Sequence, residues 1–354
     1  MKHAWMVAAL SGLLTAASVV AAPVGAALER PAVMTKAAAR SVLQGAARAG
    51  EGNNARLVAV GERGIVVLSD DQGQTWRQVP IPVSVGLTAV RFVDAQHGWA
   101  VGHGAVVLAT QDGGQTWVKQ LDGHQAAQLV LKAAQGSGDA RAVGEAERLV
   151  ADGADKPLLD LHFFDANRGI VIGAYNLAFV TEDGGKHWQP IQQRLDNPKA
   201  LHLYTLRVRG QQVLIAGEQG LVLRSTDGGQ SFQRLVTPYK GSFFTAELPG
   251  DQELVLAGLR GNVWRSVDGG ANWAQIPVAV PVSFTASVLD ASGQLWLANQ
   301  AGMVFTGHAA ELHPVAAKLP PLTGLLLQAK DRALGLSIAG VVPIVLTAPQ
   351  GMPK

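Results

Sequence analysis

The chain has 354 residues, 48% of them hydrophobic, with a formal net charge of +2 and no cysteine. The lack of cysteine excludes a disulfide framework and a lipidated N-terminal Cys. A near-neutral charge, with no Arg/Lys stripe carrying interleaved aromatics, leaves no electrostatic footprint for nucleic acid.

Residues 1–22 carry Lys2, an apolar run from Trp5 through Val20 and then small residues. This is the layout of a secretory signal peptide, with Ala22, or at the latest Ala26, as its last residue. The run is rich in Ala, Ser and Thr and marginal in length for a membrane span. No later stretch is long and apolar enough to cross a membrane, so the mature chain is expected to be periplasmic, soluble and not inserted in the bilayer.

From Ser69 onward one phrase recurs: Ser69-Asp-Asp-Gln-Gly-Gln-Thr-Trp76, Thr110-Gln-Asp-Gly-Gly-Gln-Thr-Trp117, Thr181-Glu-Asp-Gly-Gly-Lys-His-Trp188, Ser225-Thr-Asp-Gly-Gly-Gln-Ser-Phe232 and Ser266-Val-Asp-Gly-Gly-Ala-Asn-Trp273. This is the Asp-box, or BNR repeat. Asp71, Asp112, Asp183, Asp227 and Asp268 each suit an Asx-type turn that accepts backbone N–H groups of its own loop. The carboxylates are therefore expected to be structural, with no metal or cofactor assigned to them. The closing aromatics stand about forty residues apart, except that roughly 30 extra residues separate Trp117 from Trp188, and such a period means a β-propeller.

Upstream of each box come an apolar strand, a second strand ending near Gly, a short turn and a third strand. The phrase divides the chain into blades at 41–79, one containing Leu87, Gly98 and Ala109, then 158–191, 201–235 and 242–276. A sixth, 282–315, has a decayed box at Thr306, and 322–346 supplies three strands of a seventh. The fold class expected is all-β, a single seven-bladed propeller over 27–347, with six blades and an irregular tail as the alternative. A seventh blade of three strands lacks a fourth, and an open edge is a liability. Residues 27–36 are expected to supply it as an outer strand tolerant of Pro31. Pro343 fits less well, in a strand placed inside the blade. The extra residues, 121–157, are rich in helix formers and read as two short helices joined at 136–138, a helical insert between blades two and three.

In an up-and-down blade the box closes strands three and four, so the turn between strands two and three lies at the other end. Those turns hold Arg63, His103, Tyr175, Asn176, Glu218, Gln219, Arg260 and Gln300. They differ between blades while their flanking glycines recur, and the insert leaves from a link on the same side. This face is the candidate binding surface, since loops on a rigid scaffold carry recognition. On the innermost strands Arg91, His162, Arg207 and Glu247 occupy equivalent places, either lining a polar channel or pairing among themselves.

The phrase Gly98-Trp-Ala-Val-Gly102, turn, strand, Thr110 to Trp117 resembles the photosystem II stability/assembly factor family of seven-bladed propellers, over roughly 40–346. The resemblance implies a lumenal or periplasmic assembly factor that binds a membrane-protein subunit and performs no chemistry. Relatives in bacteria without photosynthesis often accompany RND-superfamily exporters, which makes such a transporter or another envelope complex the expected partner. The family's basic patch does not transfer residue by residue, with Arg63 and Arg260 its counterparts by position. The alternative is a glycoside hydrolase of sialidase or glucanase type, since those enzymes also carry Asp-boxes. Only Tyr175, Tyr204 and Tyr239 are available as a sialidase nucleophile, and the nearest text to an Arg-Ile-Pro motif is Glu29-Arg30-Pro31. A carboxylate pair would come from Asp94, Asp160 and Glu247.

Overall fold

A computed structural model describes residues 27–52, 55–307, 311–316, 318–329 and 332–346. The proposed signal peptide, 1–22 or 1–26, lies outside them, as do His308 and the residues that follow it in the decayed sixth box. Within them the strands form seven antiparallel sheets, six of four strands and one of three, each built from strands consecutive in the chain. The innermost strands are Leu43–Ala49, Leu87–Phe92, Leu158–Phe163, Leu203–Arg209, Phe243–Glu247, Phe284–Leu289 and Leu322–Ala329. Each lies beside that of the next blade, and the seventh returns to the first. The result is a seven-bladed propeller.

The core is divided among the blade interfaces. Because side chains alternate across a strand, Val58 and Val60 face blade two with Val90 and Leu108, while Ala59 faces blade seven with Leu336. The box aromatics reach back to the preceding blade: Trp117 packs with Val58 and Leu68, and Trp188 with Phe163 and Phe179 of its own blade and Trp99 of blade two. The box glycine makes that approach feasible. At Gly270, φ is +95° and a Cβ would stand 2.5 Å from Leu235 of blade four, so both the left-handed backbone and the close packing require glycine.

Ring closure differs from the expectation. Blade seven has three strands among the described residues, Leu322–Ala329, Arg332–Ser337 and Gly340–Val345, and residues 27–36 do not join it. That segment runs along blade one instead. Ala32 N–H donates to Ile81 O (3.2 Å), Ser84 N–H to Ala27 O (2.8 Å), and the Gln78 side chain bonds both Val33 O and Thr35 N–H. Leu28 and Ala32 are buried in the interface of blades one and two, and this apolar burial outweighs pairing to a distant edge. The ring closes by packing and side-chain bonds, with Thr323 Oγ1 donating to Leu43 O (2.5 Å) and Arg48 to Leu327 O (2.8 Å). Gly340–Val345 is consequently the outer strand, which is where Pro343 is tolerated.

The insert forms α1, Gly123–Ser137, and α2, Ala140–Asp152. Asp122 caps α1 by accepting from His124 and Gln125 N–H, and Gln125 returns a bond to Asp122 N–H, a complete capping box. Left-handed Gly138 ends α1, and Asp139 caps α2. Ala126, Leu129, Val130 and Leu149 then pack on Leu177, Phe179 and Trp188 of blade three. Among the described residues no helix is long and apolar enough to cross a membrane.

Candidate functional site

In each of the five boxes the aspartate is held by its own turn, while a backbone carbonyl of the turn accepts from a side chain of the preceding blade: Gln72 O from Gln328, Gly113 O from Arg56, Gly184 O from Gln120, Gly228 O from Arg168 and Gly269 O from Arg224. In blade two, Asp112 accepts from Thr116 N–H (2.9 Å), Thr116 Oγ1 (2.6 Å) and Thr110 Oγ1 (2.8 Å), while Thr110 Oγ1 accepts from Gly114 N–H (2.9 Å). These bonds hold the aspartates low. Asp71 is lowered to about 2 by the Thr75 hydroxyl and N–H, Asp183 to about 2 by His187 N–H, and Asp268 to about 2 by Asn272 N–H and its amide. Asp227 is lowered further by the Ser225 and Ser231 hydroxyls. Blade six lacks the Asp, and Thr306 Oγ1 donates to Leu295 O instead (2.9 Å).

At the other end, the turns Glu62–Gly64, His103–Ala105, Ala174–Asn176, Glu218–Gly220 and Leu259–Gly261 each touch the innermost strand of the next blade. Two consecutive positions in each are left-handed: Arg63 (φ 53°) and Gly64 (72°), Gly104 (67°) and Ala105 (48°), Tyr175 (54°) and Asn176 (62°), Gln219 (53°) and Gly220 (77°), and Arg260 (57°) and Gly261 (74°). For the six that carry a Cβ (Arg63, Ala105, Tyr175, Asn176, Gln219 and Arg260) this conformation costs about 1 kcal/mol or more each. Arg63, His103, Gln219, Arg260 and Gln300 are exposed, and Tyr175 is 55% exposed. Neither Arg63 nor Arg260 has a carboxylate partner among the described residues. Two of the expected face residues are braces: Asn176 accepts from Asn197 Nδ2 (2.9 Å), and Glu218 accepts from His202 N–H (3.2 Å).

Around Tyr175 the turns and the mouth of the channel form an aromatic arc that sequence reading missed. Tyr175 N–H donates to His202 Nδ1 (2.9 Å) and the two rings meet edge-on at 4.6 Å. His202 faces Tyr204 at 6.1 Å, and Tyr204 lies 5.2 Å from Phe244. Lys156, at the exit of the insert, stands over the Tyr175 ring at 5.0 Å. The insert is tied to the same face by Ala105 N–H donating to Lys156 O (2.8 Å).

The arc has a cost to the ring. Thr88, Thr285 and Thr323 sit at one innermost-strand position and donate to Leu158, Leu322 and Leu43 O of the following blade (2.8, 2.7 and 2.5 Å). Tyr204 and Phe244 hold the same position in blades four and five and have no hydroxyl there to make that bond. An alignment of the innermost strands against one another carries this signal.

Deeper in the channel, Arg91, Arg207 and Glu247 do join, around a residue the equivalent-position reading left out. Asp160 accepts from Arg91 (3.1 Å) and Arg207 (2.9 Å), Arg207 also reaches Glu247 (3.3 Å), and Ser287 Oγ donates to Glu247 (2.7 Å). Burial opposes the charge on Arg207, but Glu247 and Asp160 push its pKa up on balance. His162 stands apart, edge-on to Phe164 at 5.0 Å, and is lowered to about 4 by burial and then by Arg91. Of the carboxylates considered for glycoside chemistry, Asp94 holds its own hairpin through Gln96 and His97 N–H (2.7 Å each). Asp160 is held by the Arg91 and Arg207 guanidiniums, and Glu247 by Arg207 and the Ser287 hydroxyl.

The comparisons with known proteins now decide the family. The family model described as photosynthesis system II assembly factor YCF48 matches residues 68–150 and 140–280. The chain belongs to this family. Photosystem II assembly lipoprotein Ycf48 of Synechococcus sp. (strain CC9902) is 36% identical over 93 residues, 26% of each chain. The match thus spans about a quarter of that relative, whose name marks it as a lipoprotein, whereas this sequence contains no cysteine. Among solved structures, YCF48 bound to D1 peptide aligns with TM-score 0.64 at 16% identity, covering 90% of this chain and 100% of that one. YCF48 from Cyanidioschyzon merolae aligns with TM-score 0.65 at 14% identity, covering 87% and 96%. The WD40 propeller of Doa1 aligns with TM-score 0.61 at 11% identity over 91% and 97%. At these identities the structures speak to the fold alone.

Proposed function

We propose that the protein is a non-enzymatic periplasmic assembly factor that binds a membrane protein through the turn face, with an RND-type exporter subunit as the first client to test. The observation that carries the reading is the arc Tyr175, His202, Tyr204 and Phe244, on the face whose turns also expose Arg63 and Arg260, neither with a carboxylate partner among the described residues. Rigid aromatics and arginines are the residues that dominate interface energetics. Family membership supports an assembly role, and the structural relative bound to a peptide supports a peptide segment as the recognised element.

Photo-cross-linking in intact cells tests it. A photoreactive residue at Tyr175 should capture a membrane protein of the envelope, and one at Lys186, exposed at the box end, should not. Capture from Lys186 alone would overturn the reading.

A further inference from the structure

The channel has a second mouth, at the box end, and one side of it is built differently from the rest. Where blades two to five present Arg91, His162, Arg207 and Glu247, blades six and seven present Val288 and Leu326. Below these lies a cavity of about 670 Å³ between blades six, seven and one, within the range of small-ligand pockets. Val288, Leu289, Trp296, Leu326 and Leu327 line it. Trp296 is buried and the four aliphatic residues are half-buried, so apolar surface that a blade interface would cover is left facing the cavity.

Among the described residues two charged groups line this cavity, and they are not alike. Asp290 is consumed by its own hairpin, accepting from Ser292 N–H (2.8 Å), Ser292 Oγ (2.6 Å) and Gln294 N–H (3.0 Å), with Trp296 Nε1 at 3.4 Å. Arg48, from the innermost strand of blade one, is half-buried, donates one bond to Leu327 O (2.8 Å) and has no carboxylate partner among the described residues. A guanidinium in that state favours an anionic partner able to take its remaining donors.

We propose that this cavity is a binding site for a free long-chain carboxylate of the fatty-acid class. The tail lies against Val288, Leu289, Leu326, Leu327 and Trp296, and the carboxylate accepts from Arg48. The site is at the opposite end of the channel from the turn face and does not depend on the client reading.

The test is equilibrium binding of dodecanoate to the purified protein, with dodecyltrimethylammonium and dodecanol as cationic and neutral probes of equal length. Dodecanoate should bind tightest of the three. Arg48→Met, which keeps the stem and removes the charge, should weaken dodecanoate at least tenfold while leaving dodecanol unchanged, and Arg48→Lys should recover part of the loss. Leu326→Asp should abolish binding of dodecanoate, and a melting temperature near that of the parent shows that the fold survives. Equal binding of the cation, indifference to Arg48→Met, or binding of phosphatidylglycerol vesicles with none of dodecanoate would overturn the proposal.

Discussion

Blades two to five and blades six and seven fulfil the same architectural task with different chemistry. In the first group every third-to-fourth-strand turn is an Asp-box, and the channel side of the innermost strand carries a charged or titratable group. In the second, the described part of the sixth turn has Thr306 bonded to Leu295 O, and the channel side is Val288 and Leu326. Both groups nevertheless alternate apolar residues into the neighbouring blade, as in the clusters around Leu214 and Leu256 and around Ala298 and Ala333. The ring therefore rests on blade-to-blade packing. Box and channel residues add polar ties between blades, Arg56 to Gly113 O and Arg207 to Asp160 and Glu247 among them, to a packing that blades six and seven keep without the same ion pairs.

The largest expected effect separates the two channel halves. Arg207→Met leaves Asp160 and Glu247, both buried, with a lost partner, and should cost about 3 kcal/mol in urea unfolding. Leu326→Ala, in the half-exposed apolar wall, should cost about 1 kcal/mol. Restoring neutrality with Asp160→Asn and Glu247→Gln beside Arg207→Met should recover most of the loss, and no recovery would mean that the guanidinium stem, not the charge, holds the channel.

Next comes the N-terminal segment. Deletion through Lys36 exposes the interface around Leu28 and Ala32, a loss of about 2 kcal/mol. Hydrogen exchange should then quicken around Val79, Ile81 and Ser84 and stay unchanged in Gly340–Val345. Loss of protection in the seventh blade would restore the strand-closure arrangement.

The boxes and their absence are compared by Asp112→Ala, about 1 to 3 kcal/mol for unpaired turn donors, against Thr306→Val, about 1 kcal/mol. Acid sharpens the same contrast. The box aspartates have folded pKa values below their unfolded ones, so their contribution is complete above about pH 4 and is lost as the pH falls toward 2. His162 acts in an earlier window. Its folded pKa is lowered to about 4, so between about pH 6.5 and 4 the unfolded chain binds a proton that the folded one refuses, and stability declines. His162→Gln should flatten unfolding free energy across that window alone.

The smallest effect is expected at the strained turns. Arg63→Gly and Arg260→Gly relieve a left-handed backbone while giving the unfolded chain more freedom, and the two terms should nearly cancel, within about 1 kcal/mol. A large destabilisation would show that these side chains brace the ring and do not serve recognition.

The blade count, the turns and the insert were legible because each rests on a local signal: the Asp-Gly-aromatic spacing, strand alternation, and helix formers on either side of 136–138. Ring closure was not, because it depends on which surface Leu28 and Ala32 cover, a long-range matter that residue type leaves open. Asp160 escaped the channel set for a geometric reason. It lies two residues before His162, on the same face of the pleat, and the Arg91 and Arg207 guanidiniums reach across blades to meet it. The aromatic arc escaped because Tyr204 and Phe244 read as ordinary strand aromatics until they are set beside Thr88, Thr285 and Thr323, which bond the following blade from the same position.

The central claim is that the turn face, not the box face, holds the client. The most direct measurement is the affinity of the membrane protein captured at Tyr175 for two folded triple variants. Arg63→Ala, Tyr175→Ala and Arg260→Ala together should abolish binding, whereas Gln74→Ala, Gln115→Ala and Lys186→Ala should leave it unchanged. Full binding by the first variant and loss in the second would contradict the account.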